Sequence, residues 1–480
     1  METIQNYIAG ALVPPASSQY LDNYNPATGK VYALTPDSDE TDVDRAVTAA
    51  QQAFPEWSRA SNEHRSRFLF RIADLIEARL EELALAESTD NGKPLQLAKS
   101  VDIPRAAANF RFFANAVTQF ASECHDMRGQ ALNYTLRHSI GVAGCISPWN
   151  LPLYLFSWKI APALATGNCV VGKPSEVTPM TAFLLSNICR ESGLPSGVLN
   201  VVHGYGHKVG AAISRHPDVS VVTFTGSTRT GAEISRIAGP LFKKVSLEMG
   251  GKNPNIIFAD CNYDEMLATT LQSSFANQGQ ICLCGSRIFV EQPLYERFRD
   301  DFVQRTRKLR IGDPLETGTQ LGAVVSRPHL EKILGYIELA KTEGGTILCG
   351  GNQVHPDGRC AEGWFVEPTI IEGLPQSCRT NQEEIFGPVV TLIPFKDEAE
   401  VVAAANQTDY GLAASLWTQD LTRAHRVAGA LQSGVVWVNC WMLRDLRTPF
   451  GGFKHSGVGR EGGVEALRFF TEPQNICIKL

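Results

Sequence analysis

The sequence predicts an α/β protein built as two successive α/β units, and three observations carry that expectation. From residue 140 onward, short β-branched runs alternate with amphipathic helical stretches. The runs recur roughly every 20–25 residues, the spacing of strand–helix–strand units with right-handed crossovers. They are also continuously apolar, as strands buried on both faces of a parallel sheet must be. The length of 480 residues, at about 150 per domain, allows three units or two large ones.

Before that block, residues 40–55 and 64–88 have helical periodicity. In the second stretch Phe68, Ile72, Leu75, Ile76 and Leu80 recur on one face among charges. Val170-Val171 reads as a strand followed by a helix near 178–191, and Leu199–Val202 as a strand followed by one near 207–215. Val219–Phe224 precedes a helix near 228–238, and Lys244-Val245-Ser246-Leu247 opens another strand. A second alternating block begins at Asn255-Ile256-Ile257-Phe258 and runs to about residue 455. It contains Arg287–Val290, Val389–Ile393 and Val435–Val438, so the boundary falls near Gly250-Gly251. Residues 119–140 fit neither block. The tail from Phe469 to Leu480 partly alternates and looks like an edge strand, which either recruits a second chain or covers its own domain.

Composition excludes several classes. The formal charge of −6 lacks the basic excess of nucleic-acid proteins. The N-terminus Met1-Glu2-Thr3-Ile4-Gln5 has no basic region and no long apolar core, so no secretory signal is expected. The most apolar stretch, Gly141 to Gly172, is interrupted by Pro148, Asn150, Pro152, Lys159, Pro162 and Asn168, so no membrane span is expected. The twelve cysteines are dispersed apart from Cys282 and Cys284, and read as reduced thiols in a cytoplasmic compartment. A Cys-x-Cys pair with no His near it in sequence predicts no metal site.

Four motifs carry chemistry. In Phe275–Cys282, Gly279 lets the backbone turn tightly before Cys282. Backbone N–H groups there can lower a thiol's pKa and make it a nucleophile, although a free Cys is more often a small buried hydrophobe. In Leu247–Pro254, Glu248 ends a strand before two glycines, a place where catalytic groups gather and where desolvation makes a carboxylate a base. A helix cap or salt bridge is the plainer alternative. In Ile146-Ser147-Pro148-Trp149-Asn150-Leu151-Pro152, Asn150 sits between prolines; its amide could face an oxyanion or merely serve a turn. The fourth group concerns a cofactor. Lys173-Pro174-Ser175-Glu176 follows a strand end and suits ribose hydroxyls, or forms a solvated ion pair. Phe224-Thr225-Gly226-Ser227 opens a helix whose free N–H groups favour phosphate, or is a simple N-cap. Gly204-Tyr205-Gly206 reaches its third glycine only at Gly210, so the dinucleotide fingerprint is missed.

These motifs, together with Glu384-Ile385-Phe386-Gly387-Pro388 and Pro449-Phe450-Gly451-Gly452, stand in one family's order and spacing. The chain resembles the aldehyde dehydrogenase superfamily over essentially its whole length. Asp102-Ile103-Pro104-Arg105, Ile281-Cys282-Leu283-Cys284 and Trp437 to Arg444 look like its 2-aminomuconic and 2-hydroxymuconic semialdehyde dehydrogenase subgroup.

The resemblance implies a Rossmann-like NAD-binding domain (1–118 and 141–250), an α/β catalytic domain (251–455) and a small β oligomerisation arm (119–140 and 469–480) that makes a homodimer or homotetramer. It implies Cys282 as nucleophile, Glu248 as the base for hydrolysis and Asn150 as oxyanion donor, with Lys159 and Glu461 as a proton relay. NAD would be held by Ile146, Ser147, Trp149, Lys173, Ser175, Glu176, Gly210, Phe224, Gly226, Ser227, Thr230, Met249, Glu384 and Phe386. Arg105 and Arg444 match the subgroup's carboxylate clamp; a guanidinium fork fits a carboxylate, though equally a protein acid such as Asp445. The expected substrate is a small aldehyde bearing a carboxylate, in tryptophan-kynurenine or aromatic catabolism. The alternatives are a broader aldehyde or ω-semialdehyde oxidant, a cofactor-independent cysteine esterase, a noncatalytic oligomer and a CoA-acylating enzyme. Glu248 argues against the last, and the retained Lys173, Glu176 and Ser227 set against the esterase.

Overall fold

The computed structural model describes residues 1–480 and contains two large, mainly parallel sheets with helices packed against them. In the first, Lys244–Glu248, Val219–Thr225, Val142–Ile146, Cys169–Lys173 and Leu199–Val201 run parallel in that spatial order. Gly457–Val458 pairs antiparallel at one edge, and the hairpin Asn6–Ile8 with Ala11–Val13 closes the other. The chain enters at Val142–Ile146, winds outward through Cys169–Lys173 and Leu199–Val201, then returns to build the other side from Val219–Thr225. The direction of winding reverses between Val142–Ile146 and Val219–Thr225. The carboxyl ends of these two strands therefore flank the crevice where ligands of open α/β sheets bind.

The helix boundaries refine the periodicity. The first helix, Glu40–Arg59, runs on through Pro55. The second amphipathic stretch is two helices, Asn62–Ala78 and Leu80–Asn91, broken where Arg79 leaves helical geometry (φ −110°, ψ 26°). The break turns the second helix so that Leu83, Ala84 and Glu87 are buried. Near 207–215 the helix starts as a π-helical turn, Gly206–Gly210, and continues as Ala211–Arg215.

The second sheet orders Thr346–Cys349, Thr369–Glu372, Val389–Phe395, Arg287–Glu291, Pro254–Ile257, Ala413–Trp417 and Val435–Val438, all parallel except the first. After it the chain goes back: Gly457–Val458 joins the first sheet, and Ala466, Leu467 and Phe470 enter the first core. The polypeptide thus crosses between the sheets at Glu248–Pro254 and again near residue 455, and the catalytic motifs lie around these crossings.

A third sheet stands apart. Thr471–Lys479 pairs antiparallel with Ala131–Ser139 in continuous register from Thr471–Ser139 to Lys479–Ala131, and Cys124–Asp126 adds a third strand. Thr471–Lys479 is its edge strand and is largely exposed. A further small sheet that the sequence did not announce joins Glu2–Thr3, Lys30–Pro36 and Tyr20–Asn25. No helix is long and apolar enough to cross a membrane.

Candidate active site

The segment leading to Cys282 is forced into shape by hydrogen bonds. The helix Tyr263–Phe275 ends in a tight turn in which Asn277 (φ 52°) and Gln278 (φ 56°) both take left-handed backbone. Such conformations cost on the order of 1–3 kcal/mol each and persist only where surroundings over-determine them. Here Asn277 Nδ2 donates to the carbonyls of Asn150 (3.0 Å) and Gln280 (3.2 Å), and Gln278 Nε2 to that of Ala323 (2.8 Å). At Gly279 (φ 69°) a Cβ would lie 2.1 Å from the Gly387 carbonyl oxygen, so only glycine passes. Beyond the turn, Asn253 Nδ2 clamps the carbonyls of Cys282 (2.7 Å) and Cys284 (2.9 Å).

The electrostatics at Cys282 reverse one expectation. Burial, together with the carboxylates of Glu384 and Glu248, pushes the thiol well above its usual range. Arg444 acts in the opposite sense but is the weaker influence. The turn does not present Cys282 at a helix start, so no array of free N–H groups offsets the burial.

Glu248 ends the strand Lys244–Glu248, is 3% exposed, and neither of its oxygens has a hydrogen-bond partner. Burial first, and the nearby Glu461 second, raise its pKa far above the ordinary carboxylate range. Glu461 itself accepts from Lys159 Nζ (2.8 Å) and Thr223 Oγ1 (3.1 Å), so a buried chain of exchangeable protons stands beside Glu248. Asn150 Nδ2 donates one hydrogen to the Gln280 carbonyl at 3.0 Å, which fixes the amide plane and leaves its second hydrogen unclaimed.

A cavity of about 220 Å³ opens at the switch point of the first sheet. Its wall includes Trp149, Asn150, Gly226, Ser227, Met249, Cys282, Glu384 and Phe386 of the expected residues. Ser227 caps the helix Thr228–Ala238, accepting from Thr230 N (3.2 Å), with Thr230 Oγ1 at 2.9 Å. A Cβ on Gly226 would lie 2.4 Å from the Phe224 ring. Glu384 accepts from Gly251 N at 2.9 Å and packs so closely on Gly250 that a Cβ there would meet its Oε2 at 2.1 Å. Phe386 stands perpendicular to Trp149 with ring centres 5.2 Å apart.

The remaining cofactor candidates lie along neighbouring strand ends. Lys173 Nζ and Glu176 are paired at 2.6 Å, and Gly206 N reaches Glu176 at 3.5 Å. Ser175 Oγ accepts from Val177 N, Ile146 Cδ1 lies 3.9 Å from where a Gly210 Cβ would be, and Ser147 Oγ is buried without a partner.

Sequence reasoning missed Pro148, Thr225, Gly250, His329 and Lys332 in the cavity wall. The first three stand inside motifs already singled out. His329 and Lys332 come from the helix Arg327–Thr342, which carries no motif; its signal is only Ser326 as N-cap and Pro328 behind it. His329 Nε2 donates to the Phe386 carbonyl (2.7 Å) and Lys332 Nζ to that of Glu384 (3.0 Å), so both fasten the Glu384–Phe386 segment. A larger open groove of about 780 Å³, between the end of the first helix and strand Ala131–Ser139, contains none of the residues singled out above. No cluster of three or more His, Cys, Asp or Glu could hold a metal ion.

Arg105 and Arg444 converge. Arg105 lies in the first turn of the helix Ile103–Thr118, and Arg444 follows the strand Val435–Val438. Their guanidinium carbons sit 6.0 Å and 4.9 Å from the centre of one indole ring, Trp158. Arg105 also faces Tyr154 at 5.3 Å, and Arg444 faces Phe450 at 3.8 Å. Nε and Nη2 of both arginines are buried with no acceptor. Burial, with a smaller contribution from the charge of Arg444, lowers the Arg105 pKa. Asp445 is taken by the exposed Arg447, bidentately, with contacts of 2.6–3.1 Å. The Trp158 Nε1–H is unpartnered as well.

The sequence pattern of the aldehyde dehydrogenase family matches residues 12–476. The chain belongs to the aldehyde dehydrogenase family. This aldehyde dehydrogenase is 50% identical to the 2-aminomuconic semialdehyde dehydrogenase of Danio rerio, over 99% of the chain and 98% of the relative. It is 47% identical to the 2-hydroxymuconic semialdehyde dehydrogenase of Pseudomonas sp. (strain CF600), over 100% of each. The NAD+ complex of an aldehyde dehydrogenase from Bacillus cereus superposes with a TM-score of 0.97 at 40% identity, covering 100% of this chain and 97% of that one.

Proposed function

We propose that this enzyme oxidises a 2-aminomuconic or 2-hydroxymuconic 6-semialdehyde to the dicarboxylic acid with NAD+ as the oxidant. One observation carries the substrate choice: two half-buried guanidinium groups share one indole ring, and the enclosed Nε and Nη2 of each have no protein acceptor. Leaving buried donors unmet costs about 1–3 kcal/mol per group, and like charges repel, so the pair calls for an external anion. A planar carboxylate fits the fork of either group. Relatives named 2-aminomuconic and 2-hydroxymuconic semialdehyde dehydrogenase span the whole chain, which supports the same reading.

The cofactor cleft suits a dinucleotide. It sits at the switch point and has a capped helix start at Ser227, and the orphaned Ser147 hydroxyl precedes Pro148 of its wall. In this reading Lys173 and Glu176 hold the adenosine ribose, Ser227 and its helix start meet the pyrophosphate, and Glu384 and Phe386 position the nicotinamide end. Glu176 would disfavour a 2′-phosphate by charge repulsion. NAD+ supplies, when bound, the acceptor for the hydride that leaves the reacting carbon.

The chain's own residues do the rest. Cys282 gives up its proton to solvent and attacks the aldehyde carbon as thiolate, and the Asn150 amide and Cys282 N–H stabilise the oxyanion. After oxidation, Glu248 takes a proton from water as its oxygen attacks the thioester, which releases the acid and the Cys282 thiolate. Lys159, Thr223 and Glu461 offer the route by which that proton leaves. The exposed edge of Thr471–Lys479 supports pairing with a second copy, in a homodimer or homotetramer, which light scattering in solution would test.

The deciding experiment follows NADH formation with freshly generated 2-hydroxymuconic semialdehyde beside a neutral aldehyde of similar length, for the parent enzyme and Arg444→Ala. The expected result is strong preference for the acid, lost in the variant. Equal turnover of both aldehydes, unaltered by the substitution, would overturn the muconic assignment and leave a general aldehyde dehydrogenase.

A further inference from the structure

Three ionisable side chains with no solvent exposure, Lys93, Asp102 and Glu87, form a cluster that the chemistry above does not use. Lys93 Nζ contacts the Asp102 carboxylate, lies 3.9 Å from Glu87 Oε1, and donates to the Asn150 carbonyl at 3.1 Å. Each partner leads to a different part of the site. Glu87 accepts from Leu153 N, with both oxygens at 3.4 Å, so the cluster holds the loop on either side of Asn150. Asp102 closes the π-helical turn Ala98–Asp102, and the next turn of the same helical run carries Arg105. π-helical turns are uncommon and cluster at functional sites. Asn91 Nδ2, from the same helix end, adds a bond to the Trp149 carbonyl at 2.9 Å.

A buried ion cluster is poor evidence for stability, because desolvation cancels most of the attraction; its better-attested use is to fix one arrangement among several. The arrangement fixed here spans the substrate. One end of the proposed substrate is the aldehyde oxygen, which would face the Asn150 amide, and the other is the carboxylate, which would face Arg105. We infer that Lys93 is a positioning residue, a common anchor that sets the Asn150 amide and the root of the Arg105 helix at a fixed separation. The inference rests on the proposed roles of Asn150 and Arg105 and adds the part that holds them in register.

The test compares full-length parent enzyme, Lys93→Met and Lys93→Met/Asp102→Asn. Thermal midpoint, NAD+ affinity, and kcat and KM are measured with the muconic semialdehyde and with a neutral aldehyde. Lys93→Met alone strands a buried carboxylate and puts folding at risk. The double variant removes both charges at nearly constant volume and leaves unaltered the burial that is the main cause raising the Glu87 pKa. It is expected to melt and bind NAD+ like the parent. Its kcat on the neutral aldehyde should fall about 10–100-fold, the scale of a misplacement of ~1 Å. Its preference for the acid should fall by about tenfold, as one charged contact loosens. A merely structural cluster predicts that the stable double variant regains parental rate and preference. A value within about twofold of the parent for either quantity overturns the inference. Arg444→Ala, run alongside, reads the clamp separately: if it leaves the acid preference intact, the clamp has failed, and the neutral-aldehyde kcat of the double variant alone decides the hold of Lys93 on Asn150.

Discussion

At the cofactor end of the site the charged groups and the helix cap already have protein partners and only the Ser147 hydroxyl lacks one, whereas the guanidinium groups at the arginine end have none. Lys173 is paired with Glu176, Ser227 with the Thr230 amide, and Glu384 with the Gly251 amide. Arg105 and Arg444 each keep two buried N–H-bearing atoms unmet, and Glu248 keeps both oxygens unmet. The first end is a surface finished by its own contacts, on which a dinucleotide would exchange some bonds for others. The second is incomplete until an anion reaches the arginines and a water reaches Glu248. Unmet buried groups therefore carry more information about a ligand than met ones, because each has a cost that a ligand removes.

The largest expected effect tests whether the unmet Glu248 is the hydrolytic base. Glu248→Gln should cut the steady-state rate about 10²–10⁴-fold, the range of general-base catalysis. The first turnover should survive, so stopped-flow absorbance should show a burst of one NADH per site followed by a stall. A variant with parental steady state removes Glu248 from the mechanism. The pH dependence has a definite sign. Burial raises the pKa of Glu248 and of Cys282, and both must be deprotonated to act. Rate should be lost at low pH and gained as pH rises, with the ascending limb well to the alkaline side of an ordinary carboxylate. A rate that stays flat into the acid range would contradict the assigned roles.

Asn150→Ala should lower kcat about 10²–10³-fold, as for loss of one oxyanion donor, with little change in NAD+ affinity. Next comes the arginine end itself. Arg105→Lys keeps the charge and loses the fork, so kcat/KM for the acid should drop about tenfold while the neutral aldehyde is unaffected. Equal loss on both substrates would mean that Arg105 supports the fold and not the clamp.

How much of this was legible in the sequence follows from the range of each interaction. Strand Val435–Val438 and helix Thr228–Ala238 were readable because their patterns are local. The break at Arg79 was not, since a turn between two helices of one apolar periodicity leaves no compositional mark. Cys282, Glu248 and Asn150 stood out through the glycines and prolines that flank them. The sign of the Cys282 shift did not, because it comes first from burial and then from Glu384 and Glu248, all supplied by distant segments. Arg105 and Arg444 are far apart in the chain, and their meeting on Trp158 was expected only through the family resemblance. His329 and Lys332 bear on the cavity through a helix with no chemical signature at all.

The smallest effect tests the finished end. Glu176 is half of an ion pair with Lys173, so Glu176→Ala removes a carboxylate and releases an ammonium at one stroke. If the pair borders the adenosine ribose, the released Lys173 becomes attractive to a 2′-phosphate and the repulsion from Glu176 disappears. Both changes favour NADP+. The attraction is moderated by solvent at this partly open position, so the ratio of kcat/KM for NADP+ to that for NAD+ should rise by about tenfold. NAD+ itself should lose a little affinity, because a ribose hydroxyl loses an acceptor. The acid-to-neutral preference should stay at the parental value, since the pair sits at the end of strand Cys169–Lys173 and the clamp on Trp158. If instead the variant changes aldehyde preference and leaves the cofactor ratio alone, the two ends are not separate devices, and the contrast between a finished and an unfinished surface fails at the place where it makes its weakest claim.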